Sequence, residues 1–318
     1  MSALPATRME TAPDMPAWRD LRLFLRLTRP HFLLGGVLLY GLGAAIAHYL
    51  GHPVAPGPYA LGQALVTLLQ LMTHYLNEYY DAPADQQNQA RTLLTGGSGV
   101  IGPGALPAKV ALYSAVISLG LAATIASASL VTGSLPFLAW PVLLLGFLGG
   151  FFYSVPPLRL AASGYGELVA SLVVGALVPL FGYIVQVGET HRLLFMSVTP
   201  LVGLCFAMLI VFELPDYPTD LKFQKRTLVV RLGWLAAVRA HDVALGFGLL
   251  SFGVIFLNGV PARVAASALF LIPLVIAQVW QLRRIQAGYP PKWGSLTFGS
   301  LAMFAIGAYL ELAGYVLS

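Results

Sequence analysis

The chain has 318 residues, 58% of them hydrophobic and only 10% charged, against roughly 25% charged in a typical soluble domain. This composition excludes a soluble globular enzyme and a disordered chain. One cysteine, Cys205, excludes a disulfide scaffold, and 33 glycines and 22 prolines without a G-X-Y period exclude a collagen-like repeat. What remains is a membrane protein, and at about 20 apolar residues per crossing its apolar content furnishes roughly nine spans. A net charge of +5 and a pI near 9.3 then report orientation before they report a nucleic-acid partner, and no nucleic acid is expected.

Residues 1–30 are polar and carry Arg8, Arg19, Arg22, Arg26 and Arg29. They read as a cytoplasmic leader, partly disordered or interfacial, with an amphipathic segment around Trp18 to Leu27. The Ala45-Ile46-Ala47 triplet resembles a signal-cleavage site, but leader and apolar run are both too long for a signal sequence, so the first helix is retained. Apolar runs bounded by charge, Gly or Pro predict helices at about residues 31–50, 58–80, 108–130, 136–154, 166–187, 193–214, 234–258, 261–281 and 295–317. Residues 31–318 therefore read as one all-α domain of nine transmembrane helices.

Of the 18 basic residues, 16 lie in the leader or on the even-numbered side of the bundle, and only Arg192 and Arg263 fall opposite. The positive-inside rule places the N-terminus and the even loops in the cytoplasm and, with nine spans, the C-terminus outside. Cys205 falls mid-span and says little about redox compartment.

Two stretches hold six of the 13 acidic residues. The first, after helix 2, contains Asn77, Glu78, Tyr80, Asp81 and Asp85; the second, after helix 6, contains Glu213, Asp216, Tyr217 and Asp220. Steps of four, Asn77 to Asp81 to Asp85 and Asp216 to Asp220, keep side chains on one helix face. Pro83, Pro215 and Pro218 are expected to kink or end the helices, leaving Asp85 and Asp220 on the loops just beyond. Both stretches follow even-numbered helices, which makes them a parallel repeat on the cytoplasmic side and not an inverted one.

Carboxylates gathered near a low-dielectric boundary must protonate, separate or bind cations. Without neighbouring His or Cys they suit a hard ion, and Mg²⁺ is commonly shared between protein carboxylates and substrate phosphate oxygens. A pair of such sites suggests a diphosphate held between them. The flanking loops supply cations. Arg91 precedes Thr95-Gly96-Gly97-Ser98-Gly99, whose glycines permit the positive φ angles of an anion nest. Lys222, Lys225, Arg226 and Arg231 follow Asp220, and are placed to stabilise a departing diphosphate. After helix 4, Tyr153-Ser154-Val155-Pro156-Pro157-Leu158-Arg159 unwinds a helix end and turns Tyr153, Ser154 and Arg159 toward a cavity. His74, one turn before Asn77, reads as a lone histidine with a local partner rather than a base.

These residues resemble the UbiA superfamily of intramembrane prenyltransferases over most of the chain. The family's first motif, NDxxDxxxD, is similar to Asn77, Glu78, Asp81 and Asp85, with Glu for the first Asp. The second, DxxDxxxD, is met by Glu213, Asp216 and Asp220. The Gly96-to-Val100 loop and the Lys225-to-Gly233 segment resemble the MenA-like branch, which prenylates 1,4-dihydroxy-2-naphthoate for menaquinone. Tyr153 to Leu160 looks more like 4-hydroxybenzoate, chlorophyll and other UbiA-type enzymes, so prenyl transfer to 4-hydroxybenzoate or another UbiA-type acceptor stands as the alternative.

The resemblance implies a Mg²⁺-dependent transferase in the plasma membrane that moves a prenyl group from a polyprenyl diphosphate to an aromatic acceptor. Metal ligands would come from Asn77, Glu78, Asp81, Asp85, Glu213, Asp216 and Asp220. Arg91, Lys222 and Lys225 would stabilise the diphosphate; Tyr80, Tyr153 and Tyr217 would wall the cavity, beside Ser154; Arg159 would orient the acceptor. The rival reading, a carrier or cation channel, needs ionisable groups at mid-span, and nearly every predicted helix interior lacks them.

Overall fold

The computed structural model describes residues 17–318; the part of the expected leader before Ala17 lies outside them. Among the described residues there is no β-strand, only an isolated bridge between Ile101 and Leu106. A short helix α1 (Ala17–Thr28) precedes α2 (Pro30–Tyr49), α3 (Pro56–Asp85), α4 (Ala108–Thr132) and α5 (Ala139–Ser154). Next, α6 (Gly166–Leu172) runs through a π-helical turn (Val173–Leu177) into α7 (Val178–Val187). α8 (Arg192–Glu213) leads into two short helices, α9 (Tyr217–Lys222) and α10 (Leu228–Leu232). α11 (Trp234–Leu257), α12 (Ala262–Ala265), α13 (Ser267–Gln286) and α14 (Trp293–Val316) complete the chain.

Each expected apolar run falls on a helix. Seven segments are long and apolar enough to cross a membrane: α2, α4, α6 through α7, α8, α11, α12 through α13, and α14. α5 is apolar but has 16 residues, and α3, at 30 residues, carries three acids toward its C-terminal end. The chain is thus a multi-pass membrane protein.

α8 is apolar all round and sits at the centre of the bundle, with Leu201, Leu204, Cys205, Ala207, Ile210 and Val211 fully buried. α4 and α13 lie at the rim, where lipid and not protein covers much of their apolar surface. Small residues allow the closest crossing. A Cβ on Gly43 of α2 would lie 2.1 Å from the Pro179 carbonyl of α7, and one on Gly182 would lie 2.3 Å from that of Tyr40. Two spans keep ionisable groups inside. Asp242 bonds His241 at 3.0 Å and also Arg283, while Glu311 is fully buried with both carboxylate oxygens unpartnered.

The prolines act differently from expectation at one of the two acidic ends. α3 continues through Pro83 to Asp85, because the lost amide bond falls in the final turns and Gln86 N still bonds the Ala82 carbonyl at 3.1 Å. At the other end the helix does break. α8 stops at Glu213, Pro215 follows, and the chain restarts as α9 with Pro218 in its first turn. Asp85 is therefore helical, and Asp220 sits on a separate short helix.

Candidate active site at the acidic end of the bundle

The two acidic stretches meet. Asn88, just past α3, donates to Asp216 Oδ1 at 2.6 Å, and Lys222 Nζ donates to Gln87 Oε1 at 2.5 Å. Lys225 Nζ lies 2.9 Å from Asp81 Oδ2, the same oxygen that accepts from Asn77 Nδ2 at 2.9 Å. These bonds join segments more than 120 residues apart in sequence and place both at one end of the bundle.

A backbone reversal puts Lys225 among the acids. Gln224 adopts φ 55°, and the Lys225 amide folds back onto the Asp220 carbonyl at 2.9 Å. The ammonium then lies within electrostatic reach of Asp81, Glu213, Asp220 and Tyr153, and also of Glu167 on α6. Burial alone would lower its pKa, but the carboxylates outweigh burial and hold it well above the ordinary lysine value. Burial pushes Asp216 up to about 6, opposed by the Asn88 hydrogen bond and by Lys225. Burial likewise raises Asp220, again against Lys225.

The chemistry of the donors fits a hard divalent cation. Glu213 Oε2, Asp220 Oδ2 and Glu167 Oε2 are buried carboxylate oxygens without a hydrogen-bond partner, which is how oxygens available to a cation present themselves. Among the described residues, no three His, Cys, Asp or Glu side chains stand at metal-ligand spacing. Lys225 is the cation that the acids surround in this arrangement.

The loop from Arg91 to Val100 packs directly on the acids. Gly96 and Gly97 adopt φ 75° and 73°. A Cβ on Gly96 would lie 2.4 Å from Asn88 Nδ2, and one on Gly97 would lie 2.3 Å from Asp85 Oδ2, so both positions need glycine for conformation and for space. Ser98 donates from its amide at 2.7 Å and its hydroxyl at 2.6 Å to the two oxygens of Glu78. Arg29 reaches Glu78 at 3.5 Å and the Leu94 carbonyl at 2.5 Å. Glu78 thus faces the loop, while Asp81 faces Lys225. Arg91 also braces the loop: Nε donates to the Gly96 carbonyl at 2.7 Å, and the guanidinium bonds the Asp85 carbonyl.

The remaining expected residues divide. Tyr153 lies within reach of Glu213, Lys225, Glu167 and Asp81, and Ser154 is buried with its hydroxyl unpartnered. Tyr80 packs edge-on against Tyr79 at 5.1 Å and Tyr217 against Trp234 at 6.1 Å. Arg159 is exposed at the turn after α5 with φ 40°, and no hydrogen bond or ion pair among the described residues ties it to the acids. His74 packs against Phe32 at 5.8 Å. Sequence reading missed three participants. Asn88 lies three residues beyond Asp85 and past the end of α3, and the four-residue step lands on Gln89 instead, so the spacing gave no signal for it. Glu167 accepts from the Leu228 amide at 2.8 Å; as an acid opening an apolar run, it carried a weak signal. Arg29 was counted only as an orientation charge.

Comparison with known proteins bears on this site. The UbiA prenyltransferase family model matches residues 37–302. A 1,4-dihydroxy-2-naphthoate octaprenyltransferase of Bacillus subtilis (strain 168) is 25% identical over 240 residues, 72% of this chain and 71% of that protein. The fold is similar to that of a UbiA homologue from Archaeoglobus fulgidus bound to GPP and Mg²⁺, with TM-score 0.58 and 17% identity over 91% of this chain and 99% of that one. The apo UbiA homologue from Aeropyrum pernix K1 gives TM-score 0.60 and 15% identity over 88% and 97%.

Proposed function

Since the chain belongs to the UbiA prenyltransferase family, we propose that it transfers a polyprenyl group from its diphosphate to a ring carbon of 1,4-dihydroxy-2-naphthoate, as a step toward menaquinone. The carrying observation is the Asn88 to Asp216 bond of 2.6 Å, which makes one anionic site out of two separate stretches. The Bacillus relative, named for this acceptor, supports the choice. Nine spans, with α3 and α5 added to the seven most apolar, set the acids and the N-terminus in the cytoplasm and the C-terminus outside the plasma membrane. Residues 31–318 form the transferase domain, and residues 1–30 its leader.

Asn77, Asp81, Asp85, Glu213, Asp216 and Asp220 would hold Mg²⁺, an ion that a UbiA homologue of similar fold binds together with GPP. Once bound, the ion supplies positive charge to the diphosphate oxygens. Glu78 holds the 91–100 loop in place. Lys225 and Lys222 bring cations to the leaving group, where negative charge grows as the C–O bond breaks and diphosphate keeps the electron pair. The allylic carbon then accepts an electron pair from the ring, and the ring regains aromaticity when the group on the attacked carbon leaves without its bonding pair, as a proton passed to water or as CO2 from the carboxyl-bearing carbon. Tyr153 and the neighbouring apolar side chains exclude water from this electron-poor carbon. The polyprenyl tail stays in lipid, which accounts for an enzyme embedded in the bilayer.

The test is purified protein in lipid nanodiscs with labelled polyprenyl diphosphate, Mg²⁺ and separate acceptors: 1,4-dihydroxy-2-naphthoate, 4-hydroxybenzoate and a glycerol-phosphate ether. Expected is Mg²⁺-dependent prenylation of the naphthoate. Product from either other acceptor alone would overturn the assignment, and no transfer to any of them would overturn the reaction.

A further inference from the structure

We propose that the cleft between α1 and the 91–98 loop, which shares Arg29 and that loop with the acidic site, binds the phosphate head group of an anionic membrane lipid. At 100° per residue, Trp18, Leu21 and Leu25 share one face of α1, and they are 65%, 59% and 56% exposed. Other positions anchor the helix. Leu27 is fully buried, Phe24 stacks on Tyr75 at 6.1 Å, and Thr28 shares a 3.1 Å hydrogen bond with the Tyr75 hydroxyl. Such a helix lies along the bilayer surface with its free apolar face in the acyl boundary.

Arg22 and Arg26, one turn apart, form a row directly beside that lipid-facing row. They line a cleft of about 360 Å³ whose other walls bring Arg29, His31, Arg91, Ser98 and the apolar rim of Leu25 and Leu93. No acid lines it. Arg29 and Arg91 are engaged, with Leu94 and Glu78 and with Gly96 and Asp85 respectively. Arg22 and Arg26 have no hydrogen-bond or ion-pair partner among the described residues, so their guanidinium donors remain for an occupant. Among the described residues, only Arg29 of the guanidinium groups in this cleft pairs with an acid, Glu78, so the cleft keeps an excess of positive charge that favours an anion, and planar forked donors favour phosphate. The rim selects an amphiphile over a free ion, because Leu93 is 79% exposed and Leu25 continues the lipid-facing row.

The test uses the full-length protein, stripped of lipid in detergent and titrated with phosphatidylglycerol, phosphatidylcholine or inorganic pyrophosphate, read by native mass spectrometry and by melting temperature. Expected is retention of phosphatidylglycerol over phosphatidylcholine together with a raised melting temperature. The Arg22→Gln/Arg26→Gln variant should lose the preference by about tenfold or more. The Arg283→Gln/Arg284→Gln variant, with the same charge removed at the end of α13, should keep it. Pyrophosphate binding that displaces the lipid would identify a soluble phosphate ligand and overturn the proposal. Equal loss in both double variants would reduce the effect to net charge and also overturn it. None of these readouts depends on which acceptor is prenylated.

Discussion

Lys225 Nζ lies 2.9 Å from Asp81 Oδ2, so a cation from beyond α9 compensates the acids of α3. Replacing it by Met leaves a mostly buried group of carboxylates without their counter-charge. Lys225→Met should melt lower than the parent without Mg²⁺ and recover more of the difference when Mg²⁺ is added. Turnover should fall by about 10²-fold. Melting curves with and without Mg²⁺, beside turnover, check this; an unchanged melting temperature in both conditions would count against it.

Asn88 couples the two stretches through one short bond to a carboxylate. Asn88→Ala should cost about 1.5 to 3 kcal/mol in stability, the usual range for a hydrogen bond to a charged group. Asn88→Asp, which sets like charges together, should lose turnover more severely than Ala at every Mg²⁺ concentration. Denaturant titration and Mg²⁺-dependent kinetics give the comparison.

Two glycines separate backbone strain from contact with the acids. Gly97 and Gly104 both adopt φ 73°, but only Gly97 faces Asp85, at 2.3 Å from the would-be Cβ, while Gly104 has open space around it. Both alanine variants pay about 1 to 2 kcal/mol for the left-handed conformation. Gly97→Ala should in addition lose most of its activity, and Gly104→Ala should keep it.

Asp216 carries a raised pKa of about 6 because burial disfavours its charged form. The folded state therefore binds a proton more tightly than the unfolded chain. The stability from this group is fully present below the ordinary aspartate value and is lost as pH rises through about 6. Mg²⁺ affinity runs the other way, since the proton and the ion compete for one carboxylate, and should weaken as pH falls below that value. Mg²⁺ titrations at a series of pH values check the direction, and Asp216→Asn should flatten the dependence.

The helices were legible because apolar runs near 20 residues have few alternatives in a bilayer, and both acidic stretches were legible from their four-residue step. What each acid touches was not. Glu78 and Asp81 lie less than a turn apart in one motif, yet one accepts from Ser98 and the other from Lys225, a division set by how the 91–100 loop folds back. Arg29 counted as one of several leader charges until its left-handed backbone and its contact with Glu78 brought it to the loop. Pro83 signalled a break, but a proline in the final turns of a helix sacrifices little and α3 ran on to Asp85.

The most direct measurement is Mg²⁺-dependent binding of a polyprenyl diphosphate to Asp81→Asn and to Asp216→Asn, each confirmed as folded by its melting curve. One shared site requires that each substitution alone weaken binding by about 100-fold, the scale of a lost charge contact in a preorganised site. Parental affinity in either variant would contradict the joining of the two acidic stretches into a single diphosphate site.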